Sequence, residues 1–245
     1  MVDVPLRHKT TPRPLPGKKA TWPRTLTLIG AGIILLVAAG GLFRAALDAY
    51  REHLILTGLS DDPTPVALVI GAEELSIPAN MIRLAKTRAG GPVEQADLAV
   101  LWPVLEGYSE RSAEAFKEGS PTAPIVYATI AARDTPIDST GRLDSVYARF
   151  FVGKPLPGPD GLVGRQLDAD SGYGGEIVYF APAEPRPFVA RCLTESTPEV
   201  PATCMRDVNV GRGLSLLYRF NRKMLEDWRV LDAGMRKLAA GFLVP

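Results

Sequence analysis

Apolar and polar residues alternate through much of the chain after residue 65, and this alternation is typical of β-strands with one buried face. In the first half, four segments carry the pattern between turns rich in Gly and Pro, at 66–71, 74–84, 96–103 and 124–132. Proline cannot donate a hydrogen bond within a sheet, so Pro78 places the second segment at an edge or a bulge.

The second half of the chain predicts a meander of antiparallel strands. Five segments alternate in the same way, at 162–167, 176–181, 187–193, 203–210 and 214–220. Because successive strand side chains point to opposite faces, the last segment would turn one apolar set to a single face: Leu214, Leu216, Tyr218 and Phe220.

Two segments instead show helical spacing. Residues 142–151 carry apolar side chains three and four positions apart, namely Leu143, Val146, Tyr147, Phe150 and Phe151. Residues 222–242, which Asn221 can cap, carry a second apolar stripe: Leu225, Trp228, Leu231, Met235, Leu238 and Phe242. A helix after a meander normally packs on the sheet. The predicted fold class is therefore α+β, a largely antiparallel sheet with one internal helix and a C-terminal helix packed on it.

A single transmembrane helix is predicted to precede this domain, because residues 25–43 form an apolar run without a charged side chain. At ~1.5 Å per residue the run covers about 28 Å, close to the hydrocarbon core of a bilayer. The helical pattern continues to Gly58, a natural C-terminal stop. Two alternatives remain open. One is a cleaved signal peptide, since Val37, Ala38 and Ala39 offer small residues at a suitable cleavage site, and the other is a buried globular helix.

The distribution of charge sets the expected direction of this helix. Eight Lys/Arg and two Asp/Glu precede residue 52, whereas 20 basic residues stand against 25 acidic ones after it. Six of the basic residues come before the apolar run, and the positive-inside rule then puts the N-terminus in the cytoplasm. We therefore expect a bacterial inner-membrane protein that crosses the lipid bilayer once through residues 25–43, with its C-terminal domain in the periplasm.

Four segments follow from these features. Residues 1–24 form a basic, Pro-rich cytoplasmic tail with too few apolar residues to fold, and residues 25–58 form the transmembrane helix and a periplasmic helical stalk. Residues 59–65 form a linker, and residues 66–245 form the periplasmic α+β domain. The net charge of the whole chain is +1, which gives no reason to expect a nucleic-acid partner.

The chain's two cysteines, Cys192 and Cys204, are predicted to form a disulfide. Both flanks have the pattern of short strands, and an exported pair faces an oxidising compartment in which disulfides persist. A zinc site would need further ligands, but the two histidines, His8 and His53, lie outside the predicted domain. A cysteine nucleophile would lack a histidine partner for the same reason.

The predicted domain also lacks the residues of most hydrolytic sites. Without a histidine it cannot build Ser-His-Asp or Cys-His machinery. Its sequence contains no Ser-x-x-Lys, Gly-x-Ser-x-Gly, His-Glu-x-x-His or Gly-rich phosphate loop. These absences favour a protein that acts by contact, with no metal and no cofactor.

Two groups of carboxylates are weak candidates for chemistry. Residues 168–176, DADSGYGGE, loosely match a calcium loop but lack its third acidic ligand and its bidentate Glu, and a Gly-rich hairpin turn fits the flanking strands better. Glu73 and Glu74 could in principle serve a glycosidase. As neighbours on a strand, however, they would point to opposite faces.

A basic turn offers a weak candidate for anion contact. Arg83, Lys86 and Arg88 stand just before two glycines, Gly90 and Gly91. This arrangement allows either an anion-binding nest or a solvated turn.

Exposed segments are the expected contact surface for a partner protein. Residues 153–161 form a Pro/Gly loop that must lie on the surface, and loops and uncovered sheet edges are where an exported domain offers contacts. The candidate contact residues are Lys154, Pro155, Leu156, Pro157 and Pro159. Small residues at four-residue spacing would also allow a homo-oligomer through close helix approach: Gly41, Ala45 and Ala49.

The most distinctive segments of the sequence are LSIPANMIR, residues 75–83, and ADLAVLWP, residues 96–103. With its apolar N-terminal segment and one small domain, the chain resembles the single-pass inner-membrane proteins of Gram-negative bacteria that carry one small periplasmic domain. The resemblance implies no activity and assigns no functional residue.

The leading functional hypothesis is a non-catalytic, membrane-anchored interaction or assembly module of the bacterial cell envelope, with an envelope protein as its partner. The alternative is a periplasmic ligand-binding or carboxylate-based hydrolytic domain that acts on envelope polymers. Charged residues that converge in a pocket would favour the alternative. An exposed apolar patch or a bare sheet edge would favour the module.

Overall fold

The structure is a computed structural model, and it describes four parts of the chain: residues 33–44, 58–117, 123–195 and 202–245. The chain divides into two units, Met1–Ala49 and Tyr50–Pro245. The strands and the two later helices all belong to the second unit.

The described part of the first unit is a helix at residues 33–44, here α1. The predicted transmembrane helix over residues 25–43 is wrong, because no helix in the described parts of the chain is long and apolar enough to cross a membrane. The remainder of that helix (25–32), the tail over residues 1–24 and the stalk over residues 45–57 lie outside the described residues.

The second unit begins with a small sheet in the order β2–β1–β3. Its strands are β1 (Pro65–Ile70), β2 (Glu73–Pro78) and β3 (Gly91–Pro92). β1 pairs antiparallel with β2 and parallel with β3. Pro78 is the last residue of an outer strand, the position that the missing N–H of proline requires.

Eight strands of the described chain form the main sheet, which is antiparallel throughout, in the order β4–β5–β11–β10–β9–β8–β7–β6. The strands are β4 (Gln95–Leu101), β5 (Ile125–Ala132), β6 (Phe151–Pro157), β7 (Val163–Leu167), β8 (Glu176–Phe180), β9 (Val189–Leu193), β10 (Thr203–Val210) and β11 (Leu214–Asn221). The chain forms the β4–β5 hairpin, crosses to the far edge, and returns as a meander that ends beside β5. The crossing carries α2 (Ser139–Ser145).

One face of the main sheet forms the larger core. The apolar set of β11 is buried there together with the stripe of α3 (Trp228–Phe242) and residues of the small sheet. A 3-10 turn, Arg222–Asp227, leads into α3, and the Asn221 side chain accepts a hydrogen bond from the Lys223 backbone at 3.0 Å. Each fully buried Leu- or Phe-sized side chain of this core contributes about 1.5–3 kcal/mol.

Among the described residues, two apolar clusters cover the flanks of the opposite face. Over β7 to β9, one apolar cluster contains the buried residues Leu143, Tyr147, Leu167, Val178 and Val189. Near the β4 edge, a second cluster contains the buried residues Ala99, Phe116 and Ile125. Between the two clusters, the middle strands keep exposed side chains, among them Leu217 and Arg219 of β11.

The predicted internal helix over residues 142–151 has different bounds in the structure. α2 begins at Ser139 because Asp138 accepts a hydrogen bond from the Gly141 backbone at 3.0 Å, so its start is set by a cap rather than by the apolar stripe. A short 3-10 turn, Tyr147–Phe150, ends the segment.

The predicted surface loop over residues 153–161 is mostly strand. It forms most of β6 and then a turn, Pro159–Gly161. Apart from the membrane helix, the fold-class prediction of an antiparallel sheet with an internal and a C-terminal helix is partly compatible with the structure. It did not include the separate small sheet with its parallel pair.

Cys192 and Cys204 form a disulfide, as predicted. The two residues are direct partners in the β9–β10 pair, and both are buried. The bond therefore joins neighbouring strands inside the core.

Candidate functional site

A groove of about 410 Å³ crosses the open face of the main sheet beside α2, and we call it the sheet-face groove. Its lining includes Leu217 of β11, Met205 and Asp207 of β10, Arg191 of β9, and Arg142 of α2. These residues come from four elements, and Tyr147, from the apolar cluster over β7 to β9, also lines the groove.

Helix α2 forms one wall by docking on β10. Ser139 donates through Oγ to Asp207 Oδ1 at 2.6 Å and accepts from the Asp207 backbone N–H at 3.0 Å. One turn along the helix, the Arg142 guanidinium forms an ion pair with the same carboxylate and donates through Nε to the Tyr147 hydroxyl at 3.3 Å. Burial lowers the pKa of Arg142, but its contacts with Tyr147 and Asp207 outweigh burial and raise that pKa, so the side chain stays charged.

Arg191 forms part of the opposite wall. Its Nε lies 2.6 Å from Glu176 Oε2, and its guanidinium lies over the Tyr173 ring, 4.9 Å from the ring centroid. Partial burial raises the pKa of the Glu176 carboxyl, and the nearby charge of Arg191 offsets only part of that effect. Both walls therefore present charged pairs rather than single charges.

The floor of the groove mixes polar and apolar side chains. Leu217 is 37% exposed, although it stands in a strand with neighbours on both sides. Met205 lies on the adjacent strand, and Thr129 donates to Asp97 Oδ1 at 2.8 Å. Gln95 donates to both oxygens of the same carboxylate, at 3.1 and 3.0 Å. The floor is thus apolar at its centre and hydrogen-bonded toward the β4 side.

The carboxylates beside the groove are each held by neighbouring side chains. Asp207, in the groove wall, is held by Ser139 and Arg142, and Glu176 is held by Arg191. Within the described residues, no cluster of three or more His, Cys, Asp or Glu side chains could hold a metal ion.

The residues predicted as an anion contact do not converge on one point. Arg88 donates to three backbone carbonyls, including that of Gly58 at 2.8 Å. The Arg83 guanidinium lies over the Tyr127 ring, 4.9 Å from its centroid. Lys86 is exposed. The turn thus uses two of its three cations to hold neighbouring groups, and an anion contact there stays a prediction.

The residues predicted as a partner contact lie on β6 and the following turn. They are Lys154, Pro155, Leu156, Pro157 and Pro159, of which the four on β6 are exposed. β6 is an outer strand of the main sheet, but its pairing with β7 shifts between Val152 and Leu156. A bulge, prolines and a lysine are the features that keep a further strand from pairing with an edge. A partner contact here stays a prediction, and it would rest on side chains rather than on strand addition.

The two distinctive segments of the sequence meet at the other outer strand. Ile82, which follows β2, bridges to Leu98 of β4. Nearby, the backbone of Asn80 accepts from the Tyr108 N–H at 2.8 Å, and its side chain donates to the Tyr108 carbonyl at 3.1 Å. The first segment therefore covers the edge of β4, and the second segment forms most of β4 itself, so both have a structural role.

The carboxylates considered for chemistry also have structural roles. Glu73 accepts hydrogen bonds from the backbone N–H groups of Arg212 and Gly213, at 2.7 and 2.5 Å, and so holds the β10–β11 turn against the small sheet. Asp168 accepts from the Asp170 backbone at 3.0 Å at the start of a 3-10 turn.

A second depression of about 580 Å³ lies between α3, the small sheet and the turn at Val104 and Leu105. Most of its lining is apolar, and Lys237 is the charged residue in it. Leu105 reaches so far toward α3 that a Cβ on Gly234 would lie 2.7 Å from its Cδ1. Glycine at this point of α3 thus makes room for the turn.

The sequence analysis did not find the sheet-face groove. One signal was available, because Leu216, Leu217 and Tyr218 form an apolar run that breaks the alternation of β11. In a strand with one wet face, the middle residue of such a run must point toward solvent or toward a covering element. Nothing in the sequence shows which of these applies.

Comparisons with known proteins identify the fold. No family model matches the chain, and no curated protein matches it. An immunity protein of the Stenotrophomonas maltophilia type IV secretion system superposes with a TM-score of 0.53 at 18% identity, over 75% of this chain and 94% of that one. The iron-regulated outer membrane lipoprotein FrpD of Neisseria meningitidis gives a TM-score of 0.47 at 11% identity, over 76% of this chain and 95% of that one. The first of these likenesses shows that this chain shares its fold with the immunity protein.

Proposed function

We propose that this chain is an exported, non-catalytic module of the bacterial cell envelope that binds a protein partner through the sheet-face groove. The observation that carries the proposal is Leu217, an exposed leucine at the centre of a sheet face whose flanks are covered. An antiparallel sheet can face water on one side, but it then normally places polar residues at the outward positions. An apolar side chain there gains free energy when a partner buries it.

The surroundings of Leu217 resemble a protein–protein interface. Interfaces combine an apolar centre with a polar rim, and arginine is enriched at the positions that contribute most to affinity. The ion pairs Arg142–Asp207 and Arg191–Glu176 flank Leu217 and Met205 in this way. Because these pairs are already formed, a partner need not supply counter-charges to bury them.

Two further observations support the proposed location in the cell envelope and the proposed kind of partner. The Cys192–Cys204 disulfide suits an oxidising compartment such as the periplasm. The fold shared with an immunity protein of a secretion system supports a partner that is itself an envelope or secreted protein.

Photo-crosslinking tests the surface. A photoreactive amino acid in place of Leu217 should trap one specific protein in intact cells. The same group in place of Val230, which is 64% exposed on the outer side of α3, should not trap that protein. Equal trapping at the two positions, or trapping at Val230 alone, would exclude the groove as the contact.

Introducing a charge at Leu217 gives a quantitative test of the proposed binding surface. Leu217→Arg should weaken binding of the trapped partner by more than about tenfold, since it places a charge where apolar burial is needed. Val230→Arg is the matched control, because it makes the same change at another exposed position. Both variants should melt like the parent, and unchanged binding by Leu217→Arg would contradict the proposal.

The proposed compartment has its own test. A C-terminal alkaline phosphatase fusion should be active, whereas a reporter that folds only in the cytoplasm should be inactive in the same position. The opposite pattern would remove the periplasmic setting while leaving the binding surface untouched.

One observation favours the alternative of a ligand-binding or hydrolytic domain, because charged residues do converge in the groove. Asp134 and Asp207 both line it. If the purified domain cleaved an envelope polymer, and Asp134→Asn abolished cleavage without lowering the melting temperature, the carboxylate enzyme would replace the binding module.

A further inference from the structure

The main sheet consists of two four-stranded halves that meet at the pair of β9 and β10. β10 pairs with β11 over eight residue pairs, and β8 pairs with β9 over five. Between β9 and β10 there are only two, Cys192 with Cys204 and Arg191 with Met205, although both strands lie wholly in the described chain. We call this contact the joint. It has the shortest ladder in the main sheet.

At both ends of the joint, side chains bond to backbone groups of β9, β10 and the residue after β9, where the two strands do not pair with each other. At one end, Arg206 donates through Nη1 to the Val189 carbonyl at 2.9 Å, and the N–H of the next residue, Asp207, bonds to a side chain of α2. At the other end, Arg222 donates to the carbonyls of Leu193 and Thr194 at 3.0 and 2.9 Å. The disulfide lies between these two arginine contacts and is the covalent tie across the joint.

The sheet-face groove spans the same joint. Arg191 lines it from β9, whereas Met205, Asp207 and Leu217 line it from the other half. Helix α2 also contacts both halves, because Leu143 packs in the cluster over β7 to β9 while Arg142 holds Asp207 of β10. The width of the groove therefore depends on how closely the two halves are held.

We infer that the Cys192–Cys204 disulfide is a compartment-dependent lock on the joint, so that the groove takes its binding shape only after the bond has formed. The consequence for partner binding rests on the proposed function, but the lock itself does not. Both sulfur-bearing residues are buried, so a reductant reaches the closed bond only when the joint opens.

The locking step is thiol–disulfide exchange with a small-molecule or protein disulfide of the exporting compartment. Either cysteine can react first; if it is Cys204, its thiolate attacks one sulfur of that disulfide, which forms a mixed disulfide and releases one thiol of the oxidant. The thiolate of Cys192 then attacks Cys204 Sγ, which forms the protein disulfide and releases the second thiol. Two protein thiols are thus oxidised while one disulfide is reduced to two thiols.

Amide hydrogen exchange on the oxidised protein and on the double variant Cys192→Ala/Cys204→Ala tests the lock without a partner. The variant should lose protection at β9 and at the first four residues of β10 by at least about tenfold more than at β4 and β5. Ile130→Ala is the matched control, since it removes buried methylene and methyl groups from β5 while leaving the joint intact. It should not single out β9 and β10.

Three results would overturn the lock. Protection could fall equally in both halves of the double variant, it could stay unchanged at the joint, or the variant could fail to fold. In the last case the disulfide would hold the whole fold rather than one joint.

Binding provides a separate arm. The partner identified by crosslinking at Leu217 is the ligand in this measurement. The double variant should bind it more weakly than Ile130→Ala does, when the two variants are compared at temperatures that give them the same free energy of unfolding. If exchange shows the lock but Leu217→Arg leaves binding intact, the lock stands and the proposed surface fails. If Leu217→Arg disrupts binding but exchange shows no selective opening, the surface stands and the lock fails.

Discussion

The guanidinium of Arg206, on β10, lies 2.9 Å through Nε from Oδ1 of Asp232 on α3, and only 1% of the Arg206 side chain is exposed. Tyr218 donates to the same carboxylate oxygen at 2.6 Å, and Arg236 donates to the other at 3.0 Å. The Phe188 ring lies 4.7 Å from the guanidinium carbon. The network ties α3 to the main sheet beside the joint, and it satisfies a cation that would be strongly destabilising if left alone in the core.

Removing the Asp232 carboxylate should show how strongly the network stabilises the fold. We expect Asp232→Ala to lower the free energy of unfolding by about 3–5 kcal/mol, because it leaves the Arg206 charge buried without its carboxylate. Urea denaturation with a fixed slope measures the change. The control is Asp160→Asn, which breaks an ion pair with Arg229 in which both side chains are exposed. It should cost less than about 1 kcal/mol, and a similar loss in the two variants would contradict the assigned role.

The Asp232 carboxylate should also affect how the free energy of unfolding falls at acidic pH. Burial raises the pKa of Asp232, but the Arg206 charge and hydrogen bonds from Arg206 and Tyr218 outweigh burial and hold the pKa below its ordinary value of 3.8. The unfolded chain then binds the proton more readily than the folded one, so the contribution is present above pH ~4 and is lost as pH falls through the lower folded pKa. Urea titrations from pH 6 to pH 2 should show a shallower loss in Asp232→Asn than in the parent. Parallel curves would show that another group governs the acid limb.

The disulfide should contribute measurable stability. The two cysteines are separated by 12 positions, and a cross-link that closes so short a loop stabilises by roughly 3 kcal/mol in the chain-entropy model. We expect Cys192→Ser to lower the free energy of unfolding by ~2–4 kcal/mol. Mass spectrometry after alkylation should find neither thiol modified in the native parent until reductant is added. Two alkylated thiols in the native protein would refute the bond.

Two glycines should respond in opposite directions to alanine. A Cβ on Gly107 would lie 2.7 Å from the Asn80 carbonyl carbon, which is backbone and cannot move freely. Gly107→Ala should therefore destabilise by ~1–3 kcal/mol, as overpacking does. Gly241, in the last turn of α3, has open space around it, and Gly241→Ala should stabilise by about 0.5 kcal/mol through helix propensity. Thermal melts compare the two, and the same sign for both would be the contrary result.

The positions of strands followed from local pattern where one face is buried. β5, β10 and β11 begin and end within a residue or two of the alternating segments, because a two-residue period is a property of the segment itself. β6 was missed because its residues include Gly153, Pro155 and Pro157, which are turn formers by local preference. As an outer strand it tolerates prolines that an inner strand would not.

Hydropathy alone was not sufficient to predict a transmembrane helix. The run over residues 25–43 contains no charge, but hydropathy reports how apolar a segment is and not how many residues continue as one helix. None of the helices in the described parts of the chain is long and apolar enough to cross a membrane.

The sequence by itself determined the local features: most strand segments, the apolar stripe of α3, and the pairing of the only two cysteines. It also identified Asn221 as a cap, but Asn221 caps the 3-10 turn Arg222–Asp227, and α3 begins six residues later than the predicted start at residue 222. These local features depend on neighbours along the chain or on counting. The tertiary structure alone decided the strand order, the short β9–β10 joint, the buried Arg206–Asp232 pair and the exposed position of Leu217. The physical reason is that each of these depends on which distant element packs against a given face or edge, and segments with the same alternation can satisfy a sheet in many orders.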